Sequence, residues 1–197
     1  SLVGSEMCIR DRQIIGNGLY ITRPSGSFNM SAPNSELINV VAGSVLTVDD
    51  LPRQCKNAMV VLVRNSADER DDYYVRFEGN NGKDGNGTWE ECAKPGVNIE
   101  FNANTMPLQL TRDSGGTSFT LATVSWDQAL VGDTAADGGT NPRPSFVGAA
   151  INKMVFFRNR LVMLSGANII MSRPGDFTNF FAKSAIQFVA VSYTHLR

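Results

Sequence analysis

Histidine is almost missing from this chain of 197 residues, where His195 is the only one, and cysteine is scarce at three. Without histidine beside a serine or cysteine, the ordinary route to an activated nucleophile is closed. Structural metal sites recruit four close ligands, and Cys55 and Cys92 stand far apart with no CxxC or Cys/His spacing. Two unpaired thiols, as in a reducing cytoplasm, are the expectation. No Walker-type phosphate loop, nucleophile elbow or zinc-protease helix occurs either. Long apolar runs are lacking: the longest, at 58–63, has the length of a strand, far short of the roughly 20 residues of a membrane-spanning helix. No membrane anchor is expected. The formal net charge is −1, so the chain has no basic surplus to displace counterions from a polyanion. These absences predict no catalytic, cofactor-binding or metal-binding residue, hence a protein that is not an enzyme.

The two ends do not read as protein. Residues 191–197, VSYTHLR, can be written GTC TCT TAT ACA CAT CTC CGA. The reverse complement of that string translates as SEMCIRD, which is Ser5 to Asp11. Both flanks look like one DNA tag read from opposite strands, and the first twelve residues, SLVGSEMCIRDR, resemble a translated sequencing-library adaptor. Residues 1–12 and 191–197 are therefore set aside as artefact, as fusion scars are. His195 and Cys8 go with them. The remaining 13–190 carries fifteen basic against seventeen acidic residues and is long enough for one large domain or two small ones.

What is present is a succession of short β-branched and aromatic runs separated by Gly, Pro, Asn and Asp. Helical periodicity is nearly absent. The fold class expected is mainly β, with strands at 18–22, 37–42, 59–64, 72–78, 88–93, 98–101, 108–112 and 118–126. The first of them closes on Arg23-Pro24-Ser25-Gly26. Residues 49–56 suggest a short helical turn capped by Asp49 or Asp50. GNNGKDGNG, at 79–87, is nearly all turn-formers and reads as a mobile hairpin tip. The polar stretch 132–140 is the expected junction, placing a β-rich domain at 13–131, a linker at 132–140 and a second domain from 141 to 190. In the latter, runs at 153–157, 161–165 and 168–172, joined by tight turns, form a meander of the kind from which propeller blades are built. A single blade cannot bury both its faces, so the segment is expected to end inside a larger domain.

Three groups invite a chemical reading. Asp84, Gly85 and Glu91 fall at the fifth, sixth and twelfth places of an EF-hand-like loop, but its first and third places are Asn80 and Gly82, so a hairpin is favoured over a calcium site. Acidic residues cluster at Asp68 to Asp72 and at Glu90-Glu91, where solvated strand ends are favoured over a glycosidase pair. Trp89 with Glu90 and Glu91 is the one local candidate for a carbohydrate-binding or carbohydrate-degrading module. Arg158 and Arg160 could reach a phosphate, though in a tight turn such residues more often solvate the bend.

Several unusual strings recur in one order: DDYYVRF at 71–77 with its neighbours Thr88-Trp89-Glu90, then Thr105-Met106-Pro107, Trp126, Gly132-Asp133, TNPRPSFVG at 140–148, Ile151-Asn152, FFRNRLVMLSG at 156–166, NIIMSR at 168–173 and FTNFF at 177–181. In that order they resemble the nozzle (tail tubular) proteins of short-tailed bacteriophages. The resemblance runs from about Leu51 to Ala185, and Arg143 stands where the family commonly has an aromatic residue. It implies a platform-like antiparallel β domain followed by the first blade of a β-propeller. It further implies a homohexamer in the virion, assembled in the host cytoplasm. Such a hexamer would sit beneath the tail adaptor ring (tail tubular protein A), near tail fibres, and pass double-stranded DNA without sequence preference. A conduit for a polyanion suits a chain without strong basic patches, because each neutralised phosphate adds drag.

Overall fold

The computed structural model describes residues 11–22, 29–34, 37–64, 72–134, 139–186 and 194–195. The expected turn at 23–26 and most of the acidic cluster at 68–72 lie outside them. The described backbone is mainly β, and its contacts divide the chain into two compact units, 1–92 and 93–197.

The first unit opens with a hairpin of β1 (Asp11–Ile15) and β2 (Gly18–Thr22). β1 starts inside the stretch set aside as artefact. A ladder is made by backbone N–H and C=O groups, so its pairing does not require a particular sequence. The main sheet comprises β3 (Ser44–Val45), β4 (Gln54–Cys55), β5 (Val60–Val63), β6 (Tyr73–Gly79) and β7 (Gly85–Cys92) in the order β3-β5-β6-β7-β4. It is antiparallel except for the β3–β5 pair and curls into a half-barrel. Val45, Leu51, Val61, Val63 and Val75 form its core, with Met59, Tyr73 and Trp89 packed against them. The alternating burial of β5 is the period-2 signature of a half-buried strand.

Expectation and structure part in three places here. Residues 37–42 form no strand: Leu37 and Ile38 are exposed, only Val41 reaches the core, and the ladder place beside β5 is taken by β3. The helical turn is a 3-10 turn at Val48–Asp50 whose N-cap is Thr47, and the Asp50 carboxylate accepts from the Thr47 hydroxyl at 3.2 Å. At 79–87, glycine provides close approach. Gly79 and Gly87 face each other across the β6–β7 ladder, and a Cβ on Gly87 would lie 2.2 Å from the Glu78 carbonyl oxygen and 2.8 Å from the Phe77 ring. The tip is also pinned. Asp84 accepts from the Asn57 N–H at 2.9 Å and the Gln13 amide at 2.8 Å, bonds that hold its pKa below the ordinary carboxylate value.

The second unit holds a two-stranded arm, β8 (Leu108–Arg112) with β9 (Phe119–Thr123), and a four-stranded antiparallel sheet. That sheet runs β10 (Lys153–Phe157), β11 (Arg160–Ser165), β12 (Asn168–Met171) and β13 (Thr194–His195), in sequence order. β13 lies wholly within the stretch set aside at the C-terminal end. Met106, Phe146, Leu161, Met163, Ile170 and Phe180 form the core, joined by Phe101, Trp126 and Ile151.

Residues 98–101 are irregular, not a strand. The Asn98 side chain accepts from the Glu100 N–H at 3.0 Å, a local bond that competes with a ladder. The expected junction at 132–140 falls inside this unit, and the division between units comes at Cys92/Ala93. Gly132 bridges to Ala93, Asp133 pairs with Lys94 at 2.9 Å, and Thr134 donates to the Asn98 carbonyl. Turn-rich composition marks a chain reversal, and these bonds determine whether the reversal separates two bodies or is folded into one.

Candidate functional site

Several of the groups singled out for chemistry lie on described residues, whose surroundings can be given. The Trp89 and Phe77 rings meet in an edge-type contact with centroids 5.2 Å apart, and the Trp89 indole N–H donates to the Pro52 carbonyl at 2.9 Å. The Trp89 ring is half-buried, packed against the Val61, Val63 and Val75 core of the sheet. Glu90 and Glu91 are consecutive on β7, so they point to opposite faces of the sheet. Two carboxylates on opposite faces cannot flank one glycosidic bond. Of residues 80–91, only 80–84 join β6 to β7 and the rest lie in β7 itself, whereas a calcium loop of the EF-hand type sits between helices. Among the described residues no group of three or more His, Cys, Asp or Glu side chains is placed to hold a metal ion.

Cys55 and Cys92 are both buried and free. Cys55 pairs across the ladder with Gly85, which places it on the Trp89 side of β7, while Cys92 occupies the other side. Burial pushes both thiols above their ordinary pKa. Neither is an activated nucleophile. Arg158 and Asn159 form the β10–β11 turn with φ of 47° and 57°, and the Arg158 guanidinium lies over the Phe157 ring at 5.4 Å. Arg160 donates to the Ser172 carbonyl at 3.2 Å.

The strings that recur in order prove to be scaffold. Phe146, Phe180 and Phe181, from segments more than thirty residues apart, meet around Phe101 and Trp126. Asn141 is 2% exposed; its amide donates to the Val131 carbonyl and its oxygen accepts from the Ala182 N–H, both at 2.9 Å. Asn152 accepts from the Gly166 N–H, which fixes the β11–β12 turn. Arg173 donates through Nε to the Phe181 carbonyl at 2.8 Å. Arg143 donates to the Glu100 carbonyl, so this cation works as a loop clamp.

A family model described as "Bacteriophage nozzle protein" matches residues 11–192. The chain belongs to the bacteriophage nozzle family. This nozzle chain is also 35% identical over 177 residues to the tail tubular protein gp12 of Escherichia phage T7, across 86% of the chain and 21% of that relative. It thus spans about a fifth of the relative's length. Family membership supports a structural role in a phage tail.

Two stretches among the described residues expose apolar side chains. The arm β8–β9 is exposed along both strands, and its Leu108, Leu110, Phe119 and Leu121 are 52–63% exposed. The edge strand β10 exposes Met154, Val155, Phe156 and Phe157, with Phe177 edge-on to Phe156 at 5.3 Å. Sequence reasoning missed both surfaces. Alternating apolar residues signal one buried face, and nothing in the pattern says whether the chain itself supplies the cover.

Proposed function

We propose that this segment belongs to a subunit of the distal tail conduit of a short-tailed phage, a structural part of the virion through which double-stranded DNA is retained and then leaves. The observation that carries the reading is the family match across 11–192, which covers both compact units. In this reading the chain is not an enzyme, needs no cofactor, and assembles as a homohexamer in the host cytoplasm. The hexamer docks beneath the adaptor ring and adjoins tail fibres. DNA passes without sequence-specific contact. Near-neutral charge and the spending of Arg143, Arg160 and Arg173 on backbone carbonyls support a wall that does not grip phosphates.

We further propose that strands β10–β12 begin the first blade of a propeller and that the preceding β-rich region is the platform. A sequential antiparallel meander with an exposed apolar edge is what a blade looks like before its neighbours cover it. Native mass spectrometry and electron microscopy of the full-length polypeptide test the proposal together. Six copies around an open channel, inactive on capsule and peptidoglycan, is the expected result. A monomer without a channel, or depolymerase activity, overturns it.

A further inference from the structure

Every residue of β8 and β9 is exposed, yet the two strands are not uniformly polar. The ladder pairs Leu108 with Thr123, Leu110 with Leu121 and Arg112 with Phe119, so these six side chains share one face. The other face carries Gln109, Thr111, Thr120 and Ala122. An isolated two-stranded ribbon with one apolar face is marginal in water unless something packs on that face. Among the described residues nothing of its own unit covers that face: the chain enters the arm just after buried Met106 and leaves it just before Trp126, both committed to the core below. The arm is bolted at its root and bare along its length.

Its far end is stiffened. The Asp113 carboxylate accepts from the N–H and hydroxyl groups of both Thr117 and Ser118, and the Arg112 guanidinium donates twice to the Gly116 carbonyl. A turn held by its own bonds keeps the ribbon in shape before any partner arrives, which lowers the entropy lost on docking.

We propose that the apolar face of the β8–β9 arm grips a second copy of this chain. Three observations select that occupant. The four large side chains offer roughly 400 Å² of apolar surface, about half of one side of a standard subunit interface, and the Arg112 and Thr123 ends supply a polar rim. The sole cation of the arm, Arg112, is already engaged by Gly116, which leaves nothing to hold a nucleic acid backbone. Its apolar residues run along the strands while the tip, Asp113 to Ser118, is polar, the reverse of a hairpin that enters a lipid surface tip-first. With a formal net charge of −1, copies also approach each other without appreciable repulsion. The inference rests on the ring assembly proposed above and names one contact within it.

The test replaces Phe119 with the photo-cross-linker p-benzoylphenylalanine in the full-length polypeptide, prepared as a mixture of ordinary and isotopically heavy chains. Cross-linked peptides joining a heavy to an ordinary chain are expected. If the ring forms but cross-links stay within one chain or are absent, the arm contact is wrong and the ring reading survives. If no ring forms at all, both fail. As a second measurement, Leu110→Glu with Leu121→Glu should raise the concentration at which half the rings dissociate by tenfold or more. Thr111→Glu with Thr120→Glu, on the opposite face, should leave it unchanged, and an equal effect from both pairs would overturn the inference.

Discussion

Asn141 and Ala182 are joined across forty-one positions of sequence by a 2.9 Å hydrogen bond from the Ala182 N–H to the Asn141 side-chain oxygen. The same amide donates to Val131, so one buried side chain holds three separate loop segments. Asn141→Ala would strand a half-buried N–H and a buried C=O together. A loss of roughly 2–4 kcal/mol is expected in urea unfolding of the full-length protein. A change below about 0.5 kcal/mol would show that the loops do not depend on it.

Phe180 is 1% exposed and touches both Trp126 and Phe146. Phe180→Ala should cost roughly 3–5 kcal/mol through the cavity it leaves, whereas Phe157→Ala, on the exposed edge strand, should cost far less in the isolated chain. Equal losses in thermal unfolding would mean that the aromatic cluster is not the core.

Asp113 should titrate unusually low. The Ser118 N–H leads the bonds that lower its pKa from 3.8 to about 2. A depressed folded pKa means that the carboxylate's contribution is fully present above the unfolded value near 4 and is lost as pH falls towards 2. A carboxyl carbon NMR titration should therefore show a midpoint near 2. Ser118→Ala, which removes the hydroxyl donor, should move it upward, and a midpoint at the ordinary value in the parent protein would refute the arm-tip geometry.

Asn159 sits at φ 57° in the β10–β11 turn. Asn159→Val places a β-branched side chain in the left-handed region and should destabilise by more than about 1 kcal/mol, while Asn159→Gly should be neutral or slightly stabilising. A harmless valine in a denaturation series would indicate a different turn.

Cys55 and Cys92 should resist modification by a thiol reagent in the folded protein and react at once in denaturant, since both are buried and held above their ordinary pKa. Fast labelling of the native protein would contradict their placement.

Much of the strand inventory was legible in the chain alone. β2, β5, β6, β8 and β10–β12 coincide with runs of β-branched and aromatic residues, because those side chains suit a pleated half-buried surface and the turn-formers between them punctuate it. The ordered strings that carry the family were legible too, since identity along a chain needs no coordinates. Residues 37–42 and 98–101 were not, because a strand exists only where a second backbone completes its ladder, and there Ser44–Val45 or a local Asn98 bond prevailed.

The sequence by itself determined that the chain is β-rich and belongs with phage nozzles, because composition and linear order are enough for those conclusions. Only the tertiary structure decided that Trp89 packs against the core of its sheet, that Glu90 and Glu91 face apart, that residues 132–134 are tied back to 93–98, and that the β8–β9 face stands bare. Each of those depends on which distant atoms come within hydrogen-bonding or van der Waals reach, and short-range pattern carries no record of that.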